Sequence, residues 1–176
     1  MSKLTLAVGS RDHAQGPESA AITLVEYGDY ECPHCGHAYP VLKAVQKHYG
    51  PKLRFVFRNF PLREAHPHAQ MAAEAAEAAG AQGKFWEMHD ALFEHQSDLS
   101  PARVAHLAQR ISGLDVAKWV EDLQEHRFEK RVQEDFSSGL RSGVNGTPSL
   151  FANGLRYDAP VEADVLIEAL DTLLRG

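Results

Sequence analysis

Apolar positions run almost unbroken through residues 21–27 (AITLVEY), the pattern of a strand buried on both faces. Gly28-Asp29 ends that run, and a helical period follows. Val41, Leu42, Val45 and Tyr49 share one face, with Cys32-Pro33 at the start and Gly50-Pro51 at the stop. Pro40 falls inside this helix and should kink it, its ring crowding the carbonyl of Gly36, the least obstructive residue for that place. Residues 53–59 (LRFVFRN) form a second strand, with Arg54 and Arg58 expected at the sheet rim. Strand, helix and strand make a β-α-β unit, which implies a parallel pair and a right-handed crossover. The preceding stretch, residues 10–20, reads as a loop broken at Gly16-Pro17.

From 63 to 142 the period is helical throughout. An Ala-rich helix over 67–81 has a narrow face of Met71, Ala72, Ala75, Ala76 and Ala79, and a second patch holds Phe85, Trp86, Met88, His89, Leu92 and Phe93. Ser100-Pro101 and Asp115 are start signals for two more helices, and Phe128, Val132, Phe136 and Leu140 mark a fifth. His66 and His68, flanking Pro67 ahead of this block, are expected to cap or face solvent, and Trp86, Trp119 and the phenylalanines to fill core. Strand character returns at 149–152, Asn153-Gly154 is a two-residue hairpin turn, and 155–157 is the return strand. Pro160 should open a last helix carrying Val165, Leu166, Leu170, Leu173 and Leu174. The order is β-α-β, a helical block, then β-β-α. The fold class predicted is α/β, one domain over 1–176, with a core of 1–62 and 143–176 and a helical insertion over 63–142.

Composition narrows the functions. Of the 176 residues 44% are hydrophobic, enough for an ordinary core, and the net charge of −6 argues against a general nucleic-acid binder. No apolar run approaches a membrane span and the first ten residues lack the apolar core of a secretory signal, so a soluble, cytoplasmic protein with no membrane partner is expected. A monomer is expected as well. The two cysteines, Cys32 and Cys35, are too few and too close for a disulfide framework. Reactive chemistry or metal binding remains.

Cys32-Pro33-His34-Cys35 falls where a central strand meets a helix. A helix N-terminus offers partial positive charge and free N–H donors, both of which stabilise a sulfur anion at the first cysteine. Cys32 is therefore the expected exposed, attacking thiolate, and Cys35, a turn further in and more buried, the resolving thiol. His34, particularly when protonated, would lower the Cys32 pKa further, whereas Asp29 and Glu31 would oppose this if their carboxylates faced the sulfur. The alternative chemistry is half a zinc site. Two ligands are missing from such a site, and His37, His66 and His68 are candidates by residue type to complete it.

The chain resembles the thioredoxin superfamily, and within it the DsbA-like thiol-disulfide oxidoreductases. The resemblance rests on ValGluTyrGlyAspTyrGluCysProHisCys (25–35), Pro40, PheArgAsnPhePro (57–61), the helical insertion and GlyThrProSerLeuPheAlaAsnGly (146–154). It implies a thioredoxin-like fold, no cofactor or metal, and thiol or disulfide substrates, protein or small. Thr147-Pro148 matches the family's cis-proline loop, making Thr147 the implied substrate-backbone contact. Glu26 falls six residues before Cys32, where relatives often carry a buried acid beneath the disulfide. There a raised pKa would let it shuttle a proton for Cys35. Two other readings on the same scaffold are a module holding zinc or clients without redox turnover, and a glutathione-linked transferase, which would not need Cys35.

Overall fold

A computed structural model describes residues 2–175. A five-stranded mixed sheet, ordered β1-β3-β2-β4-β5, forms its centre. β2 (Ile22–Gly28) and β3 (Leu53–Asn59) pair in parallel and register Glu26 with Phe57 and Tyr27 with Arg58. β4 (Ser149–Ala152) runs antiparallel to β2, and β5 (Leu155–Tyr157) antiparallel to β4. β1 (His13–Gln15) lies in the stretch read as loop and pairs antiparallel with β3. Three residues with no apolar alternation give no sequence signal for a strand; the open edge of β3 supplies the pairing.

α1 (Pro33–Tyr49) connects β2 to β3, and α7 (Ala163–Arg175) follows β5. Pro40 lies within α1, and the helix runs past it. The last helix begins three residues after the predicted Pro160. Five helices lie between β3 and β4: α2 (Ala69–Gly80), α3 (Phe85–Glu94), α4 (Pro101–Gln109), α5 (Val116–Gln124) and α6 (Glu129–Arg141). The alanines of α2 are all buried, and their small side chains let α3, α5 and α6 approach closely; Trp119 of α5 donates its indole N–H to the Ala75 carbonyl at 3.0 Å. Asp115 caps α5 through the Lys118 N–H, whereas Ser100 makes no side-chain cap on α4.

Period two in β2 sorts its side chains between two cores. Ile22 and Leu24 face the cluster built from α1, α3 and α7, which includes both cysteines. Val25 and Tyr27 face a smaller cluster with Val56, Phe60, Val144 and Phe151. Arg58 belongs to this second face and is fully buried, not at the rim. All five of its N–H donors are taken: two by Asp12, the others by the Leu6 and Ala7 carbonyls and the Tyr27 hydroxyl, at 2.8–3.2 Å. A strand pattern cannot reveal such a pairing, because the partners come from the N-terminal segment folding over the sheet.

Candidate active site

The C-terminal end of β2 delivers the chain into the turn of residues 29–31, and α1 begins at Pro33 with Cys32 as its N-cap. Cys32 is extended (φ −73°, ψ 121°); its N–H is donated to the Asp29 carbonyl at 3.1 Å, and its carbonyl receives the Gly36 N–H at 3.0 Å. Both thiols are free. Cys35 is fully buried, but Cys32 retains only 4% exposure and is not the exposed residue expected from sequence. The loop at Thr147 and the connection after α3 close over it. What separates the two sulfurs is their partners.

The Cys32 thiol donates to the Thr147 carbonyl oxygen at 3.5 Å. Once ionised it loses that bond and gains others. The Cys35 thiol donates to the anion, which is the largest effect; burial opposes it; the Thr147 side chain and the backbone N–H groups of Cys35 and His34 add to it. The net result brings the Cys32 pKa down from 9.0 to about 5. Thr147 Oγ1 is buried with no other hydrogen-bond partner, so its proton is available to the sulfur. Cys35 moves the opposite way, held well above the ordinary thiol range by burial first, then by its bond to Cys32 and the charge of Glu26. The Asp29 N–H at 3.5 Å counteracts this only in part. Glu26 lies in the apolar wall of β2, 2% exposed, with Oε1 unpartnered. Burial, then the negative charge of Cys32, raises its carboxyl to about 8.

His34, His37, Ala38, Thr147, Pro148 and Val161 line a shallow groove of about 280 Å³ beside the sulfurs, and the Thr147–Pro148 peptide bond is cis. Pro33 and His34 are exposed at the start of α1. The structure thus brings Cys32, Pro33, His34, Cys35, Thr147 and Pro148 to one end of the sheet, with Glu26 on the strand beneath. His66 and His68 do not approach the cysteines as zinc ligands. They pair instead with Asp29 and Glu31, at 2.8 and 3.0 Å. Among the described residues no three His, Cys, Asp or Glu side chains gather into a metal-holding group. The Asp29 and Glu31 carboxylates accordingly turn toward imidazoles and backbone N–H groups.

Gln96 gave no sign in the sequence. It follows α3, yet its amide donates to the Tyr30 and Cys32 carbonyls at 2.9 and 2.8 Å, clamping the turn to the helical block. A methyl group on Gly36 would fall 2.1 Å from the Gln96 amide oxygen, so a side chain at position 36 would push the amide out of this place. Neither sequence spacing nor residue type announces a contact across sixty positions.

A thioredoxin-like sheet, a helical block between β3 and β4, and a Cys-x-x-Cys pair at a helix N-terminus beside a cis-proline define the DsbA-like class of thiol-disulfide oxidoreductases. The sequence pattern of the family described as thioredoxin matches residues 9–172, and the chain belongs to that family. Its structure is similar to BdbD from Bacillus subtilis in the oxidised form (TM-score 0.84, 25% identity, 93% of this chain and 92% of that one). It is also similar to a thioredoxin-like oxidoreductase from Silicibacter pomeroyi (TM-score 0.83, 26% identity, 96% and 95%). In sequence, 94% of the chain matches 25% of a Na(+)/H(+) antiporter NhaA 1 from Salinispora arenicola at 44% identity. The chain spans about a quarter of the length of the curated relatives it matches.

Proposed function

We propose that the protein exchanges disulfides through Cys32 as nucleophile and Cys35 as resolving thiol, with protein or small-thiol substrates. The observation that carries this reading is the unequal placement of two free thiols: Cys32 caps α1 with its sulfur against the Thr147 carbonyl, and Cys35 is fully buried one turn further along, which draws the first pKa down and pushes the second up. In the oxidising direction a substrate thiolate attacks Cys32 Sγ of the enzyme disulfide. The S–S bond breaks, and Cys35 leaves with the electron pair and takes a proton, for which Glu26 is the donor. A second substrate thiolate attacks the mixed disulfide and expels Cys32 as thiolate. Two electrons pass to the enzyme and one disulfide forms in the substrate. Stabilising the Cys32 anion favours the dithiol form, which makes the disulfide the stronger oxidant. The groove beside Thr147 and Pro148 receives the substrate backbone, with His34 at its edge. In the cytoplasm such a centre rests as the dithiol and accepts disulfides.

The test is turnover in cysteine variants. Cys32→Ser should abolish both insulin reduction and thiol oxidation. Cys35→Ser should still be attacked and should accumulate a mixed disulfide visible by mass. Wild-type activity in Cys32→Ser would overturn the reading. Stoichiometric zinc on the freshly reduced protein, with no turnover, would favour the metal-holding module.

A further inference from the structure

The turn that carries Cys32 is acidic, and its acids are matched in an uncommon way. Asp29 has a fully buried side chain three residues before Cys32. Its backbone touches both cysteines, the carbonyl accepting from Cys32 N–H at 3.1 Å and the N–H lying 3.5 Å from Cys35 Sγ. Its carboxylate accepts three bonds, from Glu31 N–H at 2.8 Å, Leu62 N–H at 2.9 Å and His66 Nδ1 at 2.8 Å. Glu31 likewise takes His68 N–H and His68 Nδ1. Among the described residues no Lys or Arg makes an ion pair with either acid; the partners are His66 and His68 alone. A buried carboxylate beside a thiolate is repulsive unless a cation offsets it, and here only an imidazole holds that place.

We propose that His66 is a positioning residue of the redox centre: through Asp29 it anchors the Cys32 turn, and its protonated form offsets the Asp29 charge that would otherwise oppose the Cys32 thiolate. The proposal rests on the exchange function above. The groups facing His66 from the β2–α1 turn are the Asp29 and Glu31 carboxylates and the Cys32 sulfur. On its own segment Arg63 reaches away to Gln133, and His68 is held by Glu31. His66 is only 19% exposed, and burial by itself would discharge it. Burial is the largest single effect, but the bond to Asp29 and the charges of Asp29, Cys32 and Glu31 together outweigh it, so its pKa is raised.

The coupling closes a proton balance. Two substrate thiols give up two protons when they reduce the Cys32–Cys35 disulfide. One replaces the proton that Glu26 gives to Cys35. Cys32 stays ionised, so the other is left over. His66, drawn toward the charged state by the new thiolate, is an ion-paired base that can take it.

Two measurements decide this. The first needs no variant at His66: its imidazole is titrated by NMR in the reduced wild-type protein and in reduced Cys32→Ser. The midpoint should be higher in wild type, where the thiolate is present; equal midpoints would overturn the proposal. Because neither sample has to turn over, a failure of the exchange reading shows separately in the insulin and thiol-oxidation assays. The second is thiolate absorbance at 240 nm against pH for wild type, His66→Gln and Asp29→Asn, with circular dichroism to confirm folding. His66→Gln should raise the Cys32 midpoint by about one pH unit, and Asp29→Asn should not raise it. An unchanged midpoint in folded His66→Gln would overturn the role.

Discussion

Two buried polar centres meet β2 at adjacent residues, Tyr27 and Glu26, on opposite faces of the sheet, and they are built on opposite rules. On one face Arg58 has every N–H donor engaged, and the Tyr27 hydroxyl that accepts from it donates on to Ser138 Oγ at 2.8 Å. On the other face Glu26 has a carboxyl oxygen with no partner at all. The first arrangement satisfies its charge and gains a fixed structure; the second leaves a group whose proton is held only by the cost of ionising in an apolar wall. A completed network resists proton transfer. An incomplete one lowers the barrier to it, at a cost in stability that the rest of the fold must offset.

Breaking the completed side should have the larger effect. Arg58→Leu leaves the half-buried Asp12 and the buried Tyr27 without the guanidinium and should cost about 3–5 kcal/mol in urea unfolding. The rate of Cys32 alkylation in the molecules that remain folded should be unchanged. A loss below about 1 kcal/mol would mean that the guanidinium network is incidental.

The incomplete side should respond in the other direction. Glu26 keeps its proton in the fold up to about pH 8, while in the unfolded chain it releases it near 4.5. Between those values the folded form binds more protons, so stability falls as pH rises, and it levels off above 8. Glu26→Gln removes this dependence and should therefore stabilise the protein by roughly 2–4 kcal/mol at pH 8, and by nothing near pH 4, while slowing the release of Cys35. Parallel pH–stability curves for the two proteins would show that Glu26 is paired in solution and end the contrast.

Smaller effects sharpen the comparison. Tyr27→Phe removes one link of the satisfied network and should cost about 1–2 kcal/mol, with no change in the Cys32 thiolate absorbance at any pH. Gly36→Ala should displace Gln96 from the Tyr30 and Cys32 carbonyls at a cost of about 1 kcal/mol, and the same change in a Gln96→Ala background should cost less. Additive losses would show that the two residues act independently.

The legibility of this protein follows the range of the forces involved. β2, α1 and β3 could be read because burial on both faces, a proline at the first helical turn and Gly50 at the stop are local signals. Cys32 and Cys35 could be found because their spacing and helix-start context are local too. β1 could not, since three polar-leaning residues become a strand only when β3 presents an open edge. The buried place of Arg58, the clamp of Gln96 and the turning of His66 and His68 onto Asp29 and Glu31 all depend on contacts between distant segments. A thioredoxin-like order of elements, with a reactive Cys-x-x-Cys pair at a helix start, was therefore determined by the sequence alone. The tertiary structure decided how that pair is differentiated. Burial, the approach of Thr147 and the charges gathered around Cys32 are properties of packing, and they separate two identical thiols by moving their pKa values in opposite directions.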